Sequence, residues 1–351
     1  MAIQLRVSLV VPLRNAAGDI DSFFTALNQQ TFQDFQVLFS YGTSDDGTLE
    51  KLKEAMASHP NITSDYHDCG SLSLGEAKNY WLDQKEKETE YYCFLDIDDR
   101  PHPDFLTKLM SFVAQADLVQ CGFSRIEEGT GKLISQDQIH NVPYAKDLFS
   151  DPSLIYIHTA TWNKLFRRDL IGEDIRFPSG KKFEDLVFVI SYLARCHNVV
   201  SINESLYDYL VAKESRSSMK DPSSLEKSNA DVQTSLLLLK DFYKKNKPEA
   251  IDNGFLDALV FMRYGIGFTT RMCLSKQKKS HLIIRESKQF LDSEFPNWRK
   301  TSFLSWKKSH RFGRKTWFVR WCRRLYKVNC FSLFVLCYKI YTGVLHKDIK
   351  P

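Results

Sequence analysis

The sequence predicts an α/β fold with a parallel sheet, continued by a mostly helical C-terminal region. Three observations point there. Apolar runs rich in β-branched and aromatic residues alternate with helix-period stretches from Leu5 to Phe123. Loops carrying charge, Asn or Gly follow the runs at Val11, Ser40 and Leu95, which would place them at the carboxyl ends of the strands. Beyond residue 220 strand patterns stop and long amphipathic stretches take over.

The elements follow in order. Leu5–Val11 (LRVSLVV) reads as a strand stopped by Pro12, with Asn15 and Gly18 as turn residues. Ile20–Gln30 reads as a helix capped by Asp19 or Asp21, with Phe23, Phe24 and Leu27 on one face. Phe35–Ser40 is a second strand; the loop Gly42-Thr-Ser-Asp-Asp-Gly47 opens a helix from Thr48 to Ser58, and another helix runs from Leu74 to Gln84. Tyr91–Leu95 is a buried strand, Asp104–Ala114 a helix with Asp104 at its N-cap, and Leu118–Phe123 a fourth strand. Ser124–Ser153 is polar and turn-rich, a flexible loop beside a site. A helix from Leu186 to Arg195 and a short strand from Val199 to Ile202 follow, then helices over Leu225–Asn246 and Ile251–Leu274. The expected organisation is 1–220 as the α/β domain, 221–295 as a helical region and 296–351 as a basic tail.

Composition narrows the function. The 351 residues are 43% hydrophobic, 13% aromatic and 26% charged, which excludes a disordered, collagen-like or polytopic membrane protein. Eight scattered cysteines without CxxC spacing argue for a reduced, cytoplasmic setting and against zinc. The apolar N-terminal run is too short for a signal peptide. The net charge of +5 is unevenly spread: Phe295 to Lys347 holds 13 Lys/Arg and no Asp or Glu, leaving 35 basic against 43 acidic residues elsewhere. Such asymmetry suits a polyanionic partner, nucleic acid or anionic lipid.

Two clusters carry candidate chemistry. In YYCFLDIDDRPHPDFL an apolar strand delivers Asp96, Asp98 and Asp99, and Pro101 and Pro103 stop its continuation. Asp96 and Asp98 project to the same side of an extended chain and together suit a hard divalent cation that also binds phosphate oxygens. A solvated acidic turn is the plainer alternative. Glu184 and Asp185 stand at a helix start, where they serve either as charges favoured by the helix dipole or as a general base.

Taken in order, Ser8-Leu-Val-Val-Pro-Leu-Arg-Asn15, Gly42-Thr-Ser-Asp-Asp-Gly-Thr48, Gly75-Glu-Ala-Lys-Asn79, Phe94-Leu-Asp-Ile-Asp-Asp99, Trp162-Asn-Lys-Leu-Phe166, Phe183-Glu-Asp-Leu186 and Leu206-Tyr-Asp-Tyr209 resemble the family 2 glycosyltransferases, in particular bacterial capsule and cell-wall enzymes. The likeness spans about residues 5 to 220. It implies an inverting enzyme with a GT-A fold, a Rossmann-like mixed sheet flanked by helices. It further implies a nucleotide-sugar donor, a UDP-sugar first, Mn²⁺ or Mg²⁺, and single-displacement transfer to a hydroxyl of a glycan or lipid-linked acceptor. By the same resemblance Pro12 and Asn15 line the nucleotide pocket, Lys78 lies near the base or diphosphate, Asp96 meets ribose or metal, and Asp98 holds the metal. Asp185 is the implied base, with Glu184 its rival. Two positions depart from the family. Ser40 and Tyr41 stand where an Asp pair usually contacts the donor base, and Arg14 stands where Tyr usually precedes the Asn. Ser40 would accept a hydrogen bond and Tyr41 would stack on a base, so donor identity stays open. Trp162 reads as core packing beside an acceptor-bordering segment with His158; Arg216, Ser217 and Ser218 read as a segment closing over the diphosphate or as a solvated loop.

In the tail, Trp317, Phe318, Trp321, Cys322, Leu325 and Val328 fall on one side of a helical wheel and Arg320, Arg323, Arg324 and Lys327 on the other. This pattern suits peripheral attachment to an anionic membrane surface at the inner face of the cell membrane, or a helix docked on an acidic body. The uncharged run Val328–Tyr338 is too short to span a bilayer. Other classes weighed are a catalytically silent glycan-binding relative and a nucleic-acid-binding protein using the tail. A dinucleotide-dependent oxidoreductase is disfavoured, since the first βα turn lacks GxGxxG.

Overall fold

The computed structural model describes residues 6–84, 89–137, 152–180, 182–211, 222–274, 280–305 and 313–345. The chain forms two compact units, one of Met1–Leu148 with Thr159–Arg216, the other of Phe149–His158 with Ser217–Pro351. The polar segments at 138–150 and at Arg216, Ser217 and Ser218 lie outside the described residues.

The first unit is built on one sheet in the order β3-β2-β1-β4-β8-β6-β9-β5, with β7 paired to β6. Its elements are β1 (Val7–Leu13), α1 (Ile20–Asn28), β2 (Phe35–Gly42), α2 (Thr48–Ser58), β3 (Thr63–Gly70), α3 (Leu74–Asp83), β4 (Tyr91–Phe94), β5 (Arg100–Pro101), α4 (Phe105–Met110), β6 (Leu118–Glu127), β7 (Leu133–Asp137), β8 (Lys164–Arg167), α5 (Arg168–Ile171), α6 (Glu184–Leu193) and β9 (Val199–Val211). The first four sheet positions are parallel, as the alternation requires. The sheet as a whole is mixed, because β8 runs antiparallel between β4 and β6. This is the Rossmann-like mixed sheet that the resemblance implies, with the parallel alternation in its first four positions. The motif that forms β8, Trp162-Asn-Lys-Leu-Phe166, is too short and too polar at its start to read as a strand.

Four other expectations change. β3, with His67 and Asp68 among exposed and half-buried neighbours, lacks the apolar run that marks a strand; it is an edge. Ser124–Glu127 continue β6, and Gly129 and Gly131, at φ 79° and 66°, turn the chain back into β7. β9 runs thirteen residues instead of ending at Ile202, with an irregular register against β6 between Cys121 and Ser124. Neither Asp19 nor Asp104 caps its helix through the side chain; Asp104 pairs with Lys108 at 2.7 Å. The core lies between α1, α2 and α4 and the sheet, where Phe24 stacks on Phe39 at 5.7 Å and Val7, Leu9, Val11, Val37 and Cys93 are buried.

The second unit is helical: α7 (Pro222–Asn246), α8 (Glu249–Asp252), α9 (Phe255–Val260), a π-helical segment Phe261–Phe268, α10 (Thr269–Leu274), α11 (Ser280–Glu294), α12 (Gly313–Lys327) and α13 (Phe331–Leu345). Val232, Leu236, Leu239 and Tyr243 of α7 are buried at helical spacing. The single helix expected from Ile251 to Leu274 is interrupted at Gly254, whose φ is 78°. Added there, a Cβ would stand 2.9 Å from Thr301.

The tail helix docks on this unit through Thr316, Val319, Cys322 and Tyr326, which are buried. Arg323 turns inward as well, donating to the carbonyls of Thr301 and Leu304 at 3.1 and 3.2 Å. The expected division into one apolar and one basic side is therefore corrected. Val319 and Tyr326 widen the apolar arc, and the body selects their side of it, leaving Trp317 outside. Among the described residues no helix is long and apolar enough to cross a membrane.

Candidate active site

The site lies at the carboxyl end of β1 and β4, where two loops face each other across a cavity of about 260 Å³. One wall is the β1–α1 loop, with Pro12, Arg14, Asn15 and Asp19; the other is the turn after β4, with Asp96 and Asp98. Asn15 adopts φ 49°, a left-handed conformation that Asn tolerates better than most residues. Its N–H donates to Ser44 Oγ at 2.9 Å and its Oδ1 accepts from Asp45 N at 3.2 Å. The N–H groups of Ala16 and Ala17 donate to Thr48 Oγ1 and Asp46 Oδ2. The Gly42–Thr48 loop is thus a receptor for the β1–α1 loop, which explains its run of small polar side chains.

Three interactions hold the acidic turn from behind. Asp96 N–H donates to Tyr207 Oη at 3.4 Å, and Leu210 N–H donates to Asp99 Oδ1 at 2.8 Å. Trp162 stacks on Tyr207 and Tyr209 at 4.7 and 5.7 Å, so Trp162 is core packing. Asn163 and Lys164 are fully buried too, Asn163 Nδ2 donating to Cys121 O and Lys164 Nζ to Ala160 O. Asp99 has no exposure, and burial, then the charges of Asp96 and Asp98, push its pKa up to about 9. It buttresses the turn from within the protein. Asp98 is exposed at the mouth.

The motif Gly75-Glu-Ala-Lys-Asn79 brings in the remaining carboxylates. Ser73 and Glu76 form a capping box that starts α3. Asn79 clamps the backbone of Phe177, accepting from its N–H and donating to its carbonyl at 2.9 and 2.8 Å. A Cβ on Gly75 would come within 2.8 Å of Pro178 O and 3.0 Å of Phe177 Cβ, so only glycine lets this segment approach. Phe183 then takes φ 68°, an uncommon conformation for a bulky residue, and opens α6 with Glu184 and Asp185. Lys78, only 2% exposed, donates from Nζ to Asp185 Oδ1 at 2.9 Å. Burial works against its charge, but Asp185 and Asp96 outweigh that and raise its pKa. Burial foremost, with Asp185, Asp98 and Glu184 reinforcing it and Lys78 opposing, pushes Asp96 up to about 7. Glu184 is raised by burial and then by Asp185. Gly75→Ala is expected to destabilise by about 1–3 kcal/mol through overpacking and to lower activity by displacing Asp185; thermal melting and an activity assay check both, and an unchanged Tm would reject the close-approach argument.

Pro12, Asn15, Asp96 and Asp98 therefore share one cavity, and Lys78, Glu184 and Asp185 form an electrostatic group joined to it through Asp96. Ser40 and Tyr41 are not in the cavity lining. Ser40 Oγ donates to Ala77 O at 2.8 Å and Tyr41 Oη accepts from Ser44 N–H at 3.2 Å. Asp19 was visible in the sequence only as a helix-cap candidate; its unused cap instead faces Asp98, and burial followed by that charge raises its pKa. A larger cavity of about 820 Å³ near the start of β4, lined by Tyr91, Arg167, Arg168 and Arg176 among others, lies away from this carboxylate group.

Residues 8–174 match the family model described as Glycosyl transferase family 2. The chain carries a glycosyltransferase family 2 domain over this stretch. It is 21% identical over 274 residues to the glycosyltransferase YibD of Escherichia coli K12, covering 70% of this chain and 77% of that protein. Its fold is similar to that of S. aureus TarS 1-349 in complex with UDP-GlcNAc, with a TM-score of 0.69 at 17% identity over 95% of this chain and 91% of that one. A more distant likeness is the mannosyltransferase PcManGT from Pyrobaculum calidifontis in complex with GDP-Man and Mn²⁺, with a TM-score of 0.52 at 12% identity over 98% and 88%. The fold is the GT-A type, and the protein is a glycosyltransferase.

Proposed function

We propose that this glycosyltransferase moves a sugar with inversion from a nucleotide-sugar, a UDP-sugar first, to a hydroxyl of a glycan or lipid-linked glycan in surface polysaccharide synthesis. The reaction takes place on the cytoplasmic side of the cell membrane. The observation that carries this reading is the meeting of Asp96 and Asp98 with the Pro12–Asn15 loop across one cavity, with Asp185 reached through buried Lys78. The nucleotide lies against Pro12 and Asn15. Asp185 accepts the proton of the attacking hydroxyl, and Lys78 holds that carboxylate in place. Glu184 is its rival for the proton.

The donor set fits a divalent cation. Asp96, Asp98 and Asp19 are hard oxygen donors, and Asp96, lifted to about 7 first by burial and then by the charges of Asp185, Asp98 and Glu184, is a carboxylate whose charged form a cation would favour. Among the described residues no cluster of three or more His, Cys, Asp or Glu side chains is arranged to hold a metal ion. Asp98 and Asp96 would hold Mn²⁺ or Mg²⁺, which when bound stabilises charge developing on the departing diphosphate.

Arg14 is the residue we assign to donor selectivity. Its stem packs against Gly42, close to where a side chain there would stand, its Nε donates to Thr43 O at 3.1 Å, and the residue is part of the cavity lining. Arg14→Ala is expected to raise the donor KM about tenfold or more, the scale of one charge-assisted hydrogen bond, with kcat little changed; a kcat loss at constant KM would refute the assignment. The overall reading is tested by following nucleoside diphosphate release across UDP-, GDP-, CDP- and TDP-sugars, with and without EDTA. Release from one nucleotide class, lost in EDTA, is the expected result. No release from any donor would leave a silent glycan-binding relative.

A further inference from the structure

We infer that the outward faces of α12 and α13 together form a docking surface for an anionic lipid bilayer. The surface begins where the inner face of α12 ends. With Val319, Cys322 and Tyr326 turned to the body, Trp317, Trp321, Arg324 and Val328 recur at spacings of four, three and four and share a face. Trp317 is 60% exposed and Val328 64%; the indole rings of Trp317 and Trp321 are parallel, 6.3 Å between centroids. The second helix continues the patch. α13 is fifteen residues, FSLFVLCYKIYTGVL, with Lys339 its one charged residue. Phe331, Phe334 and Val335 are buried, while Leu333 and Leu336 are 53% and 55% exposed.

A helix apolar on both faces is found buried or in lipid, and among the described residues only one face of α13 is covered by protein. At fifteen residues it falls short of the roughly 20 needed to span, so the surface lies flat with its side chains in the headgroup region. Charge selects the occupant. No Asp or Glu occurs between Phe295 and Lys347, against 13 Lys/Arg, and Arg324 and Lys327 are exposed beside the apolar patch. A second copy would bring like charge against like, whereas an anionic bilayer complements it. Indole rings at the boundary between apolar and charged groups are the side chains such a surface uses.

The inference stands apart from the transfer reaction. Its test is co-sedimentation of the full chain with neutral phosphatidylcholine vesicles and with vesicles containing one third phosphatidylglycerol. The wild type should sediment with the anionic vesicles and be released by salt. Arg324→Gln with Lys327→Gln should weaken partitioning about 25-fold, at a factor of about five for each basic residue. Trp317→Ser with Leu333→Ser and Leu336→Ser should weaken it at least tenfold even at low salt, where charge is unaltered. All five positions are partly or fully exposed, and thermal melting identifies any variant that has lost its fold. Equal sedimentation of the apolar variant and the wild type, or wild type left in the supernatant with anionic vesicles, overturns the proposal. So does a dimer in sedimentation equilibrium that the apolar variant dissociates, which would make a second copy the occupant. Because the vesicle assay uses no donor, failure of the donor screen leaves it standing, and its own failure leaves the donor screen standing.

Discussion

Asp98→Ala is expected to abolish transfer while leaving the fold intact. Asp98 is exposed at the cavity mouth, so its removal opens no void. Its charge contributes to the raised pKa values of Asp19, Asp96 and Asp99, so removing it relieves repulsion, and Tm should hold or rise slightly. The loss of activity should exceed the about 10–100-fold that follows when a residue merely supporting a metal ligand is changed. Titration calorimetry with Mn²⁺ in the presence of nucleoside diphosphate should show the cation requirement for nucleotide binding disappear. Full activity of this variant in EDTA would end the metal assignment, and a Tm lowered by several degrees would mean that Asp98 holds the turn together instead.

Asp185→Asn is expected to keep donor binding and lose turnover by about 10²–10⁴, the range for a removed general base. Asn retains an oxygen for Lys78 Nζ at the 2.9 Å contact, so Lys78 need not be left without a partner. The informative pair is Asp185→Asn and Glu184→Gln, each with donor KM, kcat and a pH profile of kcat. Asp185→Asn should remove most of kcat at an unchanged donor KM. Glu184→Gln should retain kcat, because Glu184, raised by burial and by Asp185, is assigned an electrostatic part only. If Glu184→Gln loses turnover while Asp185→Asn does not, the base is Glu184; if both keep full turnover, the proton goes elsewhere.

How much of this was legible differs from residue to residue. Asp96 and Asp98 could be read because an apolar strand of period two runs straight into them, and a parallel sheet sends such strand ends to the ligand crevice. Asn15 could be read as a turn residue, yet its partners Ser44 and Asp45 lie about thirty residues on and carry no local signal. Ser40 and Tyr41 were assigned to the donor by position in the motif order. Their polar atoms are already bonded to Ala77 O and Ser44 N, contacts that form only when β2, α3 and the following loop pack. Asp19 went the other way: its place before a helix suggested a cap, and the tertiary fold turned it toward Asp98 instead.

By itself the sequence determined the order of alternating elements, the acidic strand end, the helix-opening Glu184-Asp185 pair and the absence of acidic residues between Phe295 and Lys347. These are local properties, set by side-chain period, turn residues and composition. Only the tertiary structure decided which of them meet. The pairing of Lys78 with Asp185 joins positions 107 residues apart, and it depends on a glycine at 75 that has no side chain to collide with Pro178. The antiparallel insertion of β8 likewise follows from long-range pairing with β4 and β6, which the polar start of its own segment conceals. In the tail, periodicity shows a broad apolar arc, but which part of it faces inward is chosen by the surface it packs against. The helical body takes Val319, Cys322 and Tyr326, and Trp317 is left outside because burial is a property of the pair of surfaces, not of the helix alone.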